Sequence, residues 1–248
     1  MKIYKLFYSI LRKLDIEISR NVSRRFPVEI SEIEIDIFSK VAPITMTSTG
    51  RLSGIGLAMR YLKENGIKGD IVECGVWAGG SIGAAALLGS RDPIKRRFWL
   101  FDTFEGMTRP SVNDPSSAIK EYENLKHAFG EGSSWCEVNE IQVKRNLTDI
   151  GVDLDLCSFV TGDVARTLRG ANIPEHIALL RLDTDWYEST LIELEVLFPR
   201  IVRGGVLIID DYGHWAGARK AVDEYFGNSD FKPLMIPLDY TGRIGIKL

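Results

Sequence analysis

At 248 residues, with 45% hydrophobic and 26% charged residues, the chain has the apolar content of one folded domain with a short appendage. A chain of this length buries roughly 70–75% of its unfolded surface, so folding requires neither a metal staple nor a disulfide. The composition excludes wholesale disorder and collagen-like repeats, and no apolar run reaches the roughly 18–20 residues of a membrane span. A net charge of −3 gives no reason to expect nucleic acid as a partner. Cys74, Cys136 and Cys157 form no CxxC pair and suit a reducing cytoplasm.

The first 25 residues carry seven bases against Asp15 and Glu17, a net of +5, so that with −3 overall the remainder carries −8. Between these bases Ile3, Leu6, Phe7, Ile10, Leu11 and Leu14 recur at helical spacing. A signal peptide needs a longer unbroken apolar core than this. Two readings remain: a helix lying on an anionic membrane surface, or one packed on the body or on a second subunit of a homo-oligomer. Residues 1–44 are therefore set apart as a basic amphipathic helical arm, ahead of a domain over 45–248.

Within residues 30–42, Ile33, Ile35 and Ile37 alternate like a strand, whereas Ile33, Ile37 and Val41 fit a helix face; we read a helix stopped by Pro43. A clearer helical pattern follows at Leu52, Ile55, Met59 and Leu62, closed by Asn65-Gly66. From Asp70 onward strands and helices alternate. Buried strands are expected at Ile71–Cys74, Phe98–Phe101, Cys157–Val160, Ile177–Leu182 and Val206–Ile209, with helices near 79–89, 134–149, 187–198 and 214–226. Such alternation implies a doubly wound parallel sheet covered on both faces. Phe231–Ile236 and Arg243–Leu248 read as a closing return, with Pro233 favouring an edge. The expected sheet has six parallel strands and one antiparallel last strand.

The first strand runs into Glu73-Cys74-Gly75-Val76-Trp77-Ala78-Gly79-Gly80-Ser81, a glycine-rich turn where a ligand can meet backbone N–H groups. The spacing is not GxGxxG, which weakens a dinucleotide reading. Gly79-Gly80-Ser81-Ile82-Gly83 matches GxSxG by letters, but Ser81 falls too far beyond the strand for a nucleophile elbow. Asp102-Thr103 ends the second strand, where an acid suits ribose hydroxyls. Asp163, after the third strand, suits an adenine edge or a helix cap.

The strongest signal is acidic. Strand four ends in Asp183-Thr184-Asp185 and strand five in Asp210-Asp211. If the strands are neighbours, several carboxylates converge at the sheet's carboxyl end, where doubly wound folds bind ligands. An all-oxygen set selects a hard cation such as Mg²⁺, or Ca²⁺ or Mn²⁺. The competing reading is N-capping by Asp185 and Asp211, which accounts for one aspartate per strand and not two. His127 and His176 read as ordinary polar residues, whereas His214 lies close enough in sequence to the aspartates to touch a substrate. Trp77, Trp186, Tyr187, Tyr212 and Trp215 flank the same strand ends, as a pocket wall or as core.

Taken together, Glu73-Cys74-Gly75-Val76-Trp77 with Gly79-Gly80, Asp102-Thr103-Phe104-Glu105-Gly106, Leu182-Asp183-Thr184-Asp185-Trp186-Tyr187-Glu188-Ser189-Thr190, and Gly204-Gly205 leading to Asp210-Asp211-Tyr212-Gly213 resemble the macrocin O-methyltransferase (TylF-type) family over roughly residues 45–248. The resemblance implies a class I methyltransferase fold and Mg²⁺-dependent transfer of a methyl group from S-adenosylmethionine to a hydroxyl, usually on a sugar. By motif it implies Asp183, Asp210 and Asp211 as metal ligands and Asp185 as general base. It assigns Glu73, Gly75, Gly79, Gly80, Ser81 and Asp102 to the cofactor, with Thr45, Met46, Thr47 and Ser48 closing over it; Thr103 and Asp163 join the cofactor set from their places after the second and third strands. Ala78 departs from the pattern, where the family often has a basic residue. Three other functions compete: a nicotinamide-dependent oxidoreductase, a serine hydrolase using Ser81 with His214, and a non-catalytic membrane-surface binder built on the basic arm.

Overall fold

The computed structural model describes residues 26–128, 132–170 and 172–248; the basic segment 1–25 lies outside them. The first helix, α1 (Glu32–Val41), begins in a capping box: the Ser31 hydroxyl accepts from the Glu34 N–H at 3.3 Å, and the Ser31 N–H donates to the Glu34 carboxylate at 2.7 Å. Ile37, Phe38 and Val41 of α1 join the main core, so residues 30–44 are built into the body. Helix α2 (Thr49–Glu64) ends at Asn65, with Gly66 at φ +63 making the left-handed exit.

The sheet then assembles from β1 (Asp70–Cys74), β2 (Phe98–Asp102), β3 (Cys157–Thr161), β4 (Ile177–Leu182), β5 (Ile201–Ile209), β6 (Ile236–Pro237) and β7 (Arg243–Ile246). Its order is β3-β2-β1-β4-β5-β7-β6, with β1 to β5 parallel and β7 antiparallel between β5 and β6. This is the doubly wound, mostly parallel architecture expected of a class I methyltransferase. Successive strand residues enter opposite cores: Leu179, Val206 and Ile208 face one, Leu180, Leu207 and Ile209 the other. The intervening helices are α3 (Gly80–Gly89), α4 (Ser116–Leu125), α5 (Glu140–Asp149), α6 (Val164–Thr167), α7 (Tyr187–Leu197) and α8 (Ala216–Gly227).

Several boundaries differ from the expectation. The helix expected over 134–149 starts only at Glu140, because Asn139 caps it by accepting the Gln142 N–H at 2.9 Å. Residues before it are committed elsewhere: Ser133 N–H donates to Glu105 and Met107 N–H donates to Trp135. The strand expected at 231–236 shrinks to Ile236–Pro237, since Pro233 has no N–H to give a ladder. Helix α4 was not legible, having only Ala118 and Tyr122 buried. Among the described residues no helix is long and apolar enough to cross a membrane.

Candidate active site

The register sets the site. Cys74 pairs with Leu182, and Leu182 pairs with Ile209, so β1, β4 and β5 end level. The ladder continues one step further: Asp183 N–H donates to Cys74 and Asp210 N–H donates to Leu182, each at 2.9 Å. The glycine turn and both aspartate pairs are thereby delivered to one edge.

Two glycines of that turn are required by close approach. Gly75, at φ +81, would place a Cβ 1.9 Å from the Asp183 carbonyl, and a Cβ on Gly80 would lie 2.5 Å from the Ile44 carbonyl. The segment 44–48 thus crosses directly over the N-terminus of α3. It is tied there by the Ser81 hydroxyl, which bonds Thr47 at 2.8 Å and Thr45 at 3.4 Å. Ser48 caps α2 and donates to Asp239. Ser81 lies inside α3, which excludes the strand-end elbow a serine hydrolase would need.

Asp102 is absorbed by backbone. It accepts the N–H groups of Val76 at 2.6 Å, Trp77 at 3.0 Å and Phe104 at 2.7 Å. Burial raises its pKa, and these bonds oppose the rise. Trp77 and Phe104 both sit at positive φ, so the carboxylate holds two strained turns together. Asp163 caps α6, accepting the Ala165 N–H at 2.8 Å. Asp102, Thr103 and Asp163 line a small cleft with Gly75 and Gly162, beside the larger one.

That larger cavity, about 320 Å³, is walled by Thr45, Met46 and Thr47 on one side and by Asp183, Asp185 and Asp211 on another. These three aspartates place carboxylate oxygens within 4.8 Å of one another. Neither Asp185 nor Asp211 caps a helix, since the N-cap residues of α7 and α8 are Trp186 and Trp215, which make no side-chain cap. Desolvation and the Asp183 charge push Asp185 up to about 7. Burial and the Asp185 charge hold Asp211 well above the carboxylate range. Asp185 also sits at φ +69, in the left-handed region.

Asp210, 2% exposed, borders the same cavity but is engaged by cations, its oxygens on Arg181 and Arg51. Arg181 was not recognised from sequence, though a basic residue inside the apolar strand Leu180-Arg181-Leu182 is the signal. Buried at 3% exposure, it pairs with Glu73, with Asp183 at 2.8 Å and with Asp210, and it donates to Thr47 at 3.1 Å. Glu73 is therefore matched by a protein cation. Even so, burial pushes its carboxyl up to about 8, against the Arg181 charge. Arg51 extends the network to Asp239 at 3.1 Å.

Trp135, Trp186 and Trp215 meet edge to face, with centroids 5.0–6.2 Å apart. His214 stands edge-on to Trp215 at 4.8 Å and lines the cavity, as does Trp77. Tyr187 and Tyr212 bond Glu224 and Asp223 on α8 instead. His127 stands beside Glu137, and His176 precedes β4, remote from the acidic strand ends.

The family model described as Macrocin-O-methyltransferase (TylF) matches residues 22–244. A Streptomyces olivaceus protein named 8-demethyl-8-(2,3-dimethoxy-alpha-L-rhamnosyl)-tetracenomycin-C 4'-O-methyltransferase is 37% identical over 80% of this chain and 73% of its own length. The demethyldecarbamoylnovobiocin O-methyltransferase of Streptomyces niveus is 34% identical over the same shares. Among solved structures, the O-methyltransferase NovP aligns over 82% of each chain with a TM-score of 0.73 and 29% identity. The calicheamicin methyltransferase CalS11, at 19% identity and TM-score 0.58 over 90% of this chain and 95% of its own, shares the fold. The chain belongs to the macrocin O-methyltransferase family and is an S-adenosylmethionine-dependent O-methyltransferase.

Proposed function

We propose that this enzyme methylates a hydroxyl of a sugar or glycosylated small molecule and that it uses a divalent cation, Mg²⁺ by preference. The observation that carries the reading is the group of carboxylate oxygens from Asp183, Asp185 and Asp211, within 4.8 Å and bordering the cavity beside the glycine turn. An all-oxygen donor set suits a hard cation. Relatives named for a rhamnosyl-tetracenomycin and for mycinamicin III support a sugar-bearing acceptor.

The ligands assigned by motif are Asp183, Asp210 and Asp211, with Asp185 as base. Asp183 and Asp211 also belong to the clustered group, whereas Asp210 is held by two arginines. Bound there, the ion supplies Lewis acidity toward the acceptor oxygens. The chain's own residues do the rest. The turn Gly75–Ser81 and the Asp102 end of β2 cradle S-adenosylmethionine, with Thr103 and Asp163 beside its adenosine and segment 45–48 over it. Trp215 and His214 flank the acceptor, and Asp185 takes the hydroxyl proton as the new bond forms. Methyl transfer is an in-line displacement, so alignment of the two substrates supplies much of the rate.

Residues 1–25 we read as an attachment element, for a second copy of the chain or an anionic membrane surface, outside the catalytic machinery. The cysteines suit a cytoplasmic setting. The test of the main reading is calorimetry followed by turnover. S-adenosylmethionine and S-adenosylhomocysteine should bind and NAD should not, and a panel of glycosides should yield a product heavier by one methylene with MgCl₂ and none with EDTA. Methylation confined to acceptors without a sugar, or undiminished in EDTA, would contradict it.

A further inference from the structure

Glu193 on α7 plays no part in the chemistry above, yet it is fully buried beneath it, at 0% exposure. One carboxyl oxygen accepts the Thr184 hydroxyl at 2.9 Å; the other has no hydrogen-bond partner among the described residues. The Cys74 thiol, at the end of β1, lies against the same carboxyl and is held well above its usual pKa by burial and that neighbour.

A buried carboxyl with an unmatched oxygen is a poor stability device, since an apolar side chain of similar size avoids the desolvation cost. What the residue touches explains it better. Thr184 stands between Asp183 and Asp185, and Asp185 is in the left-handed conformation at φ +69. Such a conformation costs roughly 1–3 kcal/mol and persists only where surrounding contacts over-determine it. Several contacts converge on this turn. Asp183 N–H is bound to Cys74 at 2.9 Å and the Asp183 carboxylate pairs with Arg181 at 2.8 Å, while the Thr184 carbonyl accepts from Trp186 N–H at 2.8 Å and from the Ser189 hydroxyl at 3.3 Å. The Glu193 bond is the one that fixes the Thr184 side chain.

We infer that Glu193 is a positioning residue: through Thr184 it locks the 183–185 turn so that the Asp183 and Asp185 carboxylates stand beside Asp211 in the cavity wall. Burial raises its pKa well above the usual carboxylate value, against the Thr184 hydrogen bond and with the Asp211 and Asp183 charges adding to the rise. The turn geometry stands on these contacts alone; its use in holding a cation rests on the proposed function.

The test measures amide exchange of the full chain by mass spectrometry over residues 181–190, with Mn²⁺ binding by calorimetry alongside. Glu193→Met should exchange about tenfold faster at Asp185 and Trp186, bind Mn²⁺ about tenfold more weakly, and melt at or above the wild-type temperature. Glu193→Gln, which keeps an acceptor oxygen for Thr184, should stay within about twofold of wild type in both. Thr184→Val removes the same bond from the other side and should reproduce the Met result, which keeps the test valid if the Met variant does not fold. Wild-type exchange in the Met or Val variant, or a Gln variant as loose as Met, would overturn the assignment, as would unchanged Mn²⁺ affinity in the Met variant. Faster exchange together with no Mn²⁺ binding by wild type would leave the turn lock standing and sink the cation reading instead.

Discussion

The two halves of the site are built by opposite means. The proposed cofactor side, from Gly75 to Ser81 with Asp102, is closed by backbone: glycines where a Cβ would collide, and a carboxylate filled by three N–H groups. The proposed acceptor side, from Asp183 to Asp185 with Asp210 and Asp211, is closed by charge, and its charges do not balance. Arg181 and Arg51 satisfy Asp210 and Glu73, while Asp185 and Asp211 are left competing for protons. A backbone-built site is complete before its ligand arrives; on the proposed function, the surplus acid of the charge-built half is what a cation would complete.

This contrast can be broken at either half. The largest effect is expected at the base. Asp185→Asn should slow turnover by roughly 10²–10⁴-fold with S-adenosylmethionine affinity unchanged, because the amide keeps the shape and loses only the proton acceptor. Single-turnover kinetics against pH would check this, and near-full activity across the range would hand the role of base to His214. On the cofactor side, Gly75→Ala should cost about 3 kcal/mol or more, since its Cβ would lie 1.9 Å from the Asp183 carbonyl at φ +81. For a chain of this size that lowers Tm by about 6–12 °C. Cofactor affinity and cation affinity should fall together, because the two halves touch at that point.

The smallest expected effect is on acid stability, through Asp239, which holds Ser48 at the end of segment 44–48. Partial burial would raise the Asp239 carboxyl, but the Ser48 hydroxyl, the Gly242 and Thr241 N–H groups and the Arg51 charge bring it down to about 2 from 3.8. A carboxyl with a depressed folded-state pKa contributes stability above its unfolded value and loses it as pH falls through the folded one. Asp239→Asn should therefore lower Tm slightly at neutral pH and flatten the loss of stability between pH 4 and 2. A variant whose melting curve tracks wild type throughout that window would show that Asp239 contributes nothing to holding segment 44–48.

The same contrast explains what was legible in the sequence. Strand ends in a parallel sheet map directly onto one edge, so Asp183, Asp185, Asp210 and Asp211 could be placed together from their positions alone. The six-strand parallel reading followed from near-continuous apolar runs for the same reason. What escaped were partners distant in the chain. The pairing of Arg181 with Glu73, and of Arg51 with Asp210 and Asp239, depends on register and helix placement that local pattern does not encode. Asp102 was legible as an acid at a strand end, but not as a carboxylate already filled by N–H groups. The late start of α5 turned on one asparagine cap, and α4 on two buried residues, both weaker signals than periodicity.

The central claim is that the surplus acid exists to hold a cation, and one titration addresses it directly. MgCl₂ is titrated calorimetrically into S-adenosylhomocysteine-saturated wild type, Asp211→Asn and Asp185→Asn. The account predicts a single site in wild type, weakened by no more than a few-fold in Asp185→Asn, whose carboxylate is assigned to the proton, and lost in Asp211→Asn. A wild-type enzyme that binds no Mg²⁺, or binding undiminished in Asp211→Asn, would contradict it.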